Sequence, residues 1–236
     1  NQEGPSSIIH LSDAGHCGLL KNIDKAFFNS LDGITKSIGS LCWGAGIEAQ
    51  RLDFGKVLSH DPSDHLNSNT IIIWGRNPVY TNIHLMTFLK DAKKKGVNLI
   101  VIDPIRTATA ELSTHFYQIK PQSDGYLAMA MAKLIIDKNW VDETFISKYS
   151  KGFAEFKHQL EKYSMSQLLQ PTGLSERELY ELTELYTKTG PSSIILGYGL
   201  QRYPNGGNNI RYIDAVAAIT GNIGVAGGGV SYANQY

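Results

Sequence analysis

The chain has 236 residues, and its 22 lysines and arginines equal its 22 aspartates and glutamates, so the formal net charge is zero. Hydrophobic residues make up 42% and charged residues 19%, which excludes a disordered chain, while the charge balance excludes a global positive field drawing it to nucleic acid or a membrane surface. At ~150 residues per domain the length predicts one or two domains. Two cysteines, Cys17 and Cys42, cannot build a disulfide framework or a four-thiolate zinc site. No apolar run approaches the ~20 residues of a membrane helix, so no direct membrane insertion is expected, and the opening NQEGPSS does not read as a signal peptide.

In chain order, the first apolar run is residues 7–11 (SIIHL), read as a strand, followed by a helical pattern over 19–28. Residues 70–74 (TIIIW) predict a buried strand and 81–95 a helix. That helix ends in KKKG, three lysines at the negative helix C-terminus and Gly96 in the left-handed position beyond. NLIVID (98–103) is the next strand, stopped by Pro104, and FYQIK (116–120) a weaker one. Residues 123–136 read as a helix with Leu127, Met131, Leu134 and Ile135 on one face. The stretch 137–189 carries three or four helices and no clear strand, with a capping box at Ser175 and Glu178. A strand returns at 193–196 and a helix follows over 208–220. The segment 221–229 (GNIGVAGGG) holds five glycines: either it is flexible or its backbone lies close against something. The alternation predicts an α/β fold with a mostly parallel sheet.

In such a sheet, ligands bind beyond the carboxyl ends of the strands. Three ends carry unusual chemistry. WGRNP (74–78) offers Gly75 for close backbone approach and Asn77 as donor and acceptor, though the same residues suit a plain turn. Asp103, in DPIRTATA, can accept ribose hydroxyls or simply open an Asp-Pro turn. Asp124, in PQSD, can complement a helix dipole or pair bidentately with a guanine edge. Cys42 sits in SLCWGAGIEAQ, either a small buried apolar residue or a thiol at a helix start. GAGIEA (44–49) matches a dinucleotide pattern, but no apolar strand precedes it, which argues against a nicotinamide site. The seven histidines show no H-x-x-x-H pair and read as surface or packing residues.

Taken in order, WGRNP, IDPIRTATA, PQSD, GYGLQRYPNG and GNIGVAGGG resemble the molybdopterin oxidoreductase family, which includes dimethyl sulfoxide reductase, nitrate reductase and formate dehydrogenase types. The resemblance implies Rossmann-like, mostly parallel sheets flanked by helices, in two intertwined subdomains: residues 1–39 with 191–236, and residues 40–190. It implies a bis-molybdopterin guanine dinucleotide cofactor carrying molybdenum or tungsten. Trp74, Gly75, Asn77, Pro78 and Thr81 would lie along one dinucleotide's phosphates and ribose, with Asp103 and Arg106 at ribose or guanine. Gln122, Ser123 and Asp124 would hold guanine, and Gly197 and Gln201 would meet the pterin end. The glycine-rich segment 221–229 would pass beside the cofactor. Cys42, 32 residues before Trp74, falls where the family places its catalytic protein ligand to the metal, with Ser40 and Asp53 as alternatives.

The resemblance further implies a small-molecule substrate, an electron-transfer subunit as partner and two-electron redox at the metal. The family's cysteine-rich [4Fe–4S] segment and its closing C-terminal domain are expected outside these residues, so the chain reads as an internal fragment, inactive alone. The compartment stays open, with the cytoplasm favoured. Two other classes stay open: a non-catalytic homologue of respiratory-subunit type that keeps the fold without the metal, and an ordinary NAD-dependent Rossmann enzyme.

Overall fold

Three β-branched runs build the centre of the sheet: β3 (Thr70–Trp74), β4 (Asn98–Asp103) and β6 (Ser192–Leu196). The computed structural model describes residues 3–13, 15, 18–57 and 59–233; His16 and Cys17 lie outside the described residues. With β5 (His115–Gln118) and β7 (Val230–Ser231) they form one parallel sheet in the order β5-β4-β3-β6-β7. The expectation that TIIIW, NLIVID and FYQIK are parallel neighbours holds.

Successive strand residues point to opposite faces, so one run feeds two cores. Ile72, Trp74, Ile100, Ile102, Ile194 and Leu196 join a core with α5 (Asp124–Asp137), α9 (Glu176–Lys188) and α10 (Gly206–Ile219). Ile71, Ile73, Leu99, Val101 and Ile195 face α4 (Ile83–Lys94), which contributes Leu85, Met86, Leu89 and Ala92. The helix expected over 81–95 starts at Ile83, because Asn82 caps it by accepting from Leu85 N at 3.1 Å; a short helix α3 (Pro78–Thr81) precedes it. Gly96 follows at φ +87°, as KKKG predicts. Between β5 and β6 the chain is helical throughout: α5, α6 (Glu143–Tyr149), α7 (Phe153–Glu161), α8 (Met165–Leu169) and α9. The α9 capping box is closed in both directions, Ser175 N to Glu178 Oε2 at 2.8 Å and Glu178 N to Ser175 Oγ at 3.3 Å.

Two expectations need correction, and the sheet crosses the division drawn at residue 190. SIIHL is not a core strand: only Ile9–His10 (β1) pairs, with Thr35–Lys36 (β2), and Ile9 and Leu11 are exposed. The helix read over 19–28 is α1 (Ile23–Asn29), packed by stacking of Phe28 on His10. The boundary expected at residue 190 runs through the main sheet, because β6 from the segment 191–236 pairs with β3 from 40–190 over five residues. The β1–β2 pair, from the described part of 1–39, is a separate sheet.

The glycine-rich segment packs closely rather than hanging free. A Cβ on Gly227 would lie 2.4 Å from the Asn67 backbone, and the segment leads directly into β7. No helix among the described residues is long and apolar enough to cross a membrane.

Candidate functional site

The carboxyl ends of β3, β4 and β6 converge with the β5–α5 connection on one groove of about 150 Å³. β3 supplies Gly75, β4 supplies Asp103 and Pro104, and the β5–α5 connection supplies Lys120, Pro121 and Asp124. The segment after β6 adds Gly199, Leu200 and Tyr203. Two glycines make this crossing possible. Gly75 sits at φ +58°, and a Cβ on Gly197 would fall 1.7 Å from Gly75 O, so the segment after β6 can cross the end of β3 only without a side chain there.

Asp124 opens α5 and is buried. Its Oδ1 accepts from Trp74 Nε1 at 2.8 Å. Burial pushes its carboxyl above the ordinary carboxylate range, the indole bond pulls it back, and the neighbouring Asp103 charge adds a smaller upward push. Asp103 is raised by burial as well. Its Oδ1 accepts from Ile105 N at 3.0 Å, so the Asp-Pro turn exists and its carboxylate lines the groove too. Two desolvated acids over an apolar floor, with Lys120 and Tyr203 beside them, suit a ligand that presents N–H and O–H donors.

The other sequence-derived residues divide into supports and outsiders. Trp74 is fully buried and is linked to the groove by its bond to Asp124. Ser123 Oγ donates to Lys120 O at 2.5 Å and shapes the turn before α5. Asn77 Oδ1 accepts from Thr109 Oγ1 at 2.6 Å, which ties the β3 and β4 loops together, and Pro78 opens α3. Thr81 is exposed, donating to Asn77 O at 3.0 Å, and Gln122 is exposed in a left-handed conformation at φ +70°. Arg106 does not join the groove: it pairs with Glu111 at 2.8 Å, with its guanidinium over the Phe116 ring. Sequence reasoning missed Lys120, Leu200 and Tyr203. Lys120 was readable as the residue leading into PQSD; Leu200 and Tyr203 carry no local signal.

Cys42 is a free, half-buried thiol in the turn before α2 (Gly44–Phe54). Its N donates to Ser40 Oγ at 3.0 Å, and Ser40 Oγ donates to Asp13 Oδ2 at 2.6 Å, so the Ser40 hydroxyl is engaged on both sides. Asp53 lies at the other end of α2, accepting from Arg211 Nε at 2.8 Å beside the buried Asp214, which removes it from this turn. Tyr232 donates to Trp43 O at 3.2 Å, and Trp43, Tyr198 and Tyr232 pack ring on ring. Gly46 is small because that tyrosine presses on it, a Cβ there lying 2.3 Å from Tyr232 Cζ. Gly46 of GAGIEA therefore serves packing, and the strand before this helix is the two-residue β2, which belongs to the separate two-stranded sheet and not to the main one.

The one-turn 3₁₀ helix Tyr198–Gln201 joins the two places. Gly199 and Leu200 line the groove, while Gln201 is buried and its side chain bonds the Cys42 turn: Nε2 donates to Leu41 O and Cys42 O, both at 2.9 Å, and Oε1 accepts from Ala45 N at 2.8 Å. Among the described residues, no group of three or more His, Cys, Asp or Glu side chains is placed to hold a metal ion. The histidines are not all surface residues. His65 is buried, its Nδ1 3.3 Å from His60 Nε2 and 3.1 Å from Ser193 Oγ.

Comparison with known proteins bears on this arrangement. The chain is 45% identical over 229 residues to a probable oxidoreductase, YyaE, of Bacillus subtilis (strain 168), covering 97% of this chain and 34% of the relative. It is 27% identical over 165 residues to formate dehydrogenase H of Escherichia coli (strain K12), covering 70% of this chain and 23% of that protein. Among solved structures it matches acetylene hydratase from Pelobacter acetylenicus with a TM-score of 0.71 at 25% identity, over 85% of this chain and 28% of that one. The chain thus spans about a third of the length of the first relatives it matches. The family model described as molybdopterin oxidoreductase matches residues 4–235, and the chain belongs to that family.

Proposed function

We propose that this chain forms the cofactor-binding centre of an oxidoreductase that uses molybdopterin guanine dinucleotide and carries out two-electron redox on a small molecule at molybdenum or tungsten. The observation that carries the reading is the pairing of two desolvated carboxylates, Asp103 and Asp124, in one groove at the carboxyl edge of a parallel sheet. A guanine edge presents a ring N–H and an exocyclic amine side by side, a match for the Asp124 carboxylate held by Trp74. The residues present fit the group: the groove supplies acceptors, the strand-end glycines let the segment after β6 cross the end of β3 and line the groove, and the free Cys42 thiol can ligate as a soft sulfur donor suited to a sulfur-rich metal site.

In the bound state the cofactor supplies the redox chemistry. The protein's part is positional. Asp124 and Asp103 accept the nucleotide's donors, Asn77 and Thr109 hold the β3 and β4 loops in register, and Cys42 ligates the metal from the turn before α2. An [4Fe–4S] segment, an electron-transfer subunit and a cytoplasmic setting belong to this proposal for the whole protein.

The test uses the full-length protein. Molybdenum or tungsten should be present together with guanine nucleotide released on acid hydrolysis. Cys42→Ser should keep the fold, shift the metal's spectrum and cut turnover, because a hard hydroxyl replaces a soft thiolate. A metal-free native protein would support the non-catalytic class instead. A Cys42→Ser variant with native spectrum and turnover would remove Cys42 as the ligand.

A further inference from the structure

Helix α2 begins without a cap of its own. Its N-cap residue is Trp43, whose side chain makes no capping bond, so the first-turn N–H groups need acceptors from elsewhere. Gly44 N reaches back to Ser40 O. Ala45 N has an acceptor from far away in sequence, Gln201 Oε1 at 2.8 Å. The same amide donates to Leu41 O and Cys42 O, so one buried side chain caps the helix and closes the turn that precedes it. An amide has two N–H donors and one carbonyl oxygen, and here both donors and the oxygen are engaged on this turn.

We propose that Gln201 is the positioning residue for Cys42: a remote N-cap that sets the place of the cysteine's backbone and so the direction of its sulfur. This rests on the reading of Cys42 as the metal ligand, and it gives Gln201 a role other than direct cofactor contact. Because Gly199 and Leu200 of the same turn line the nucleotide groove, the turn also fixes the distance between the groove and the thiol. A carboxylate could not replace the amide, since it offers no donor to the two carbonyls, and a shorter amide could not reach all three partners.

The experiment begins with full-length protein purified free of cofactor, so the clamp is read independently of the metal. Hydrogen exchange at the Ala45 amide and the rate of Cys42 alkylation by iodoacetamide, assigned by peptide mapping, are compared for wild type, Gln201→Met and Gln201→Asn. Met keeps the volume and removes every hydrogen bond; Asn keeps the chemistry and shortens the reach, so a failure of one variant to fold leaves the other. In both, the Ala45 amide should exchange about tenfold faster and Cys42 should be alkylated several-fold faster, because the orphan N–H loses its acceptor and the turn opens. Wild-type rates in both variants overturn the clamp. In the loaded enzyme, either variant should shift the metal's electron paramagnetic resonance spectrum and lower kcat with little change in KM. A loosened turn with an unchanged metal spectrum overturns the positioning role. A native spectrum in Cys42→Ser would instead sink the ligand assignment while leaving the cap in place.

Discussion

Trp74 and Asp124, fifty residues apart, meet through a single hydrogen bond, indole Nε1 to carboxylate Oδ1 at 2.8 Å. A side chain from the centre of the sheet thereby aims a carboxylate at the groove. The carboxyl is buried and held above its ordinary range, so its charge weakens the empty fold, a cost that the proposed guanine contact would explain. Asp124→Asn keeps an oxygen for the indole and removes the charge. The cofactor-free variant should gain ~1 kcal/mol at pH 7 by urea unfolding, while metal and guanine content of the full-length enzyme fall. A less stable variant with full occupancy would mean that the carboxylate serves the fold alone.

The contact between Gly197 and Gly75 is equally demanding. Gly197→Ala puts a methyl group 1.7 Å from Gly75 O, backbone against backbone, and neither strand end can move without breaking the β3–β6 ladder. The expected loss is roughly 3 kcal/mol in chemical denaturation, with cofactor loading impaired as well. Native stability would show that the strand ends separate more easily than the ladder suggests.

Acid should weaken the molecule through the histidine pair. Burial, with a smaller push from His60, lowers His65 from 6.5 to about 3, and His60 is lowered too. The folded state therefore binds fewer protons than the unfolded one. The stability this contributes is complete above pH 6.5 and is lost as pH falls toward 3, with an upper bound of roughly 5 kcal/mol. Hydrogen bonds hold Asp61 and Asp64 below 3.8 and burial holds Asp103 above it; all three carboxylates remain in His65→Gln, so the comparison with that variant singles out the histidine. The difference in unfolding free energy between wild type and this variant should shrink from pH 7 to pH 4. A difference that stays constant refutes the assignment.

The opposite slope belongs to Asp53 and Asp214, which face each other between α2 and α10. Asp214 is almost fully buried, accepts from Gln50 Nε2 at 3.0 Å, and is raised well above 3.8 chiefly by burial; Arg211 partly offsets the same effect on Asp53. Each keeps one buried oxygen without a partner, an arrangement that one shared proton satisfies. A raised carboxyl contributes stability that is complete below the unfolded value of 3.8 and is lost as pH rises through the folded one. Asp214→Asn supplies a permanent N–H to Asp53 in place of that proton. Between pH 5 and pH 9 the variant should lose less stability than wild type; parallel curves would exclude a shared proton.

Local pattern determined much of this protein. TIIIW, NLIVID and SIIL are β-branched runs whose every residue can be buried, so they declared themselves as inner strands of a parallel sheet, and the polar residues at their ends marked the edge where the candidate groove lies. Asp103 and Asp124 were legible because a carboxylate next to a buried strand is costly and stands out. SIIHL misled for the complementary reason: the same residue types form a strand core only if helices cover them, and among the described residues Ile9 and Leu11 stay exposed. What only the tertiary structure decided were the pairings over long separations. Gln201 sits 159 residues from Cys42 and Asp214 sits 164 from Gln50, and no periodicity encodes either contact. Arg106 looked as fit for the cofactor as its neighbours until the fold gave it Glu111 and Phe116. Strand and helix periods are set by neighbours along the chain, whereas the partner of a buried polar group is set by whichever distant segment the packing brings within hydrogen-bond reach.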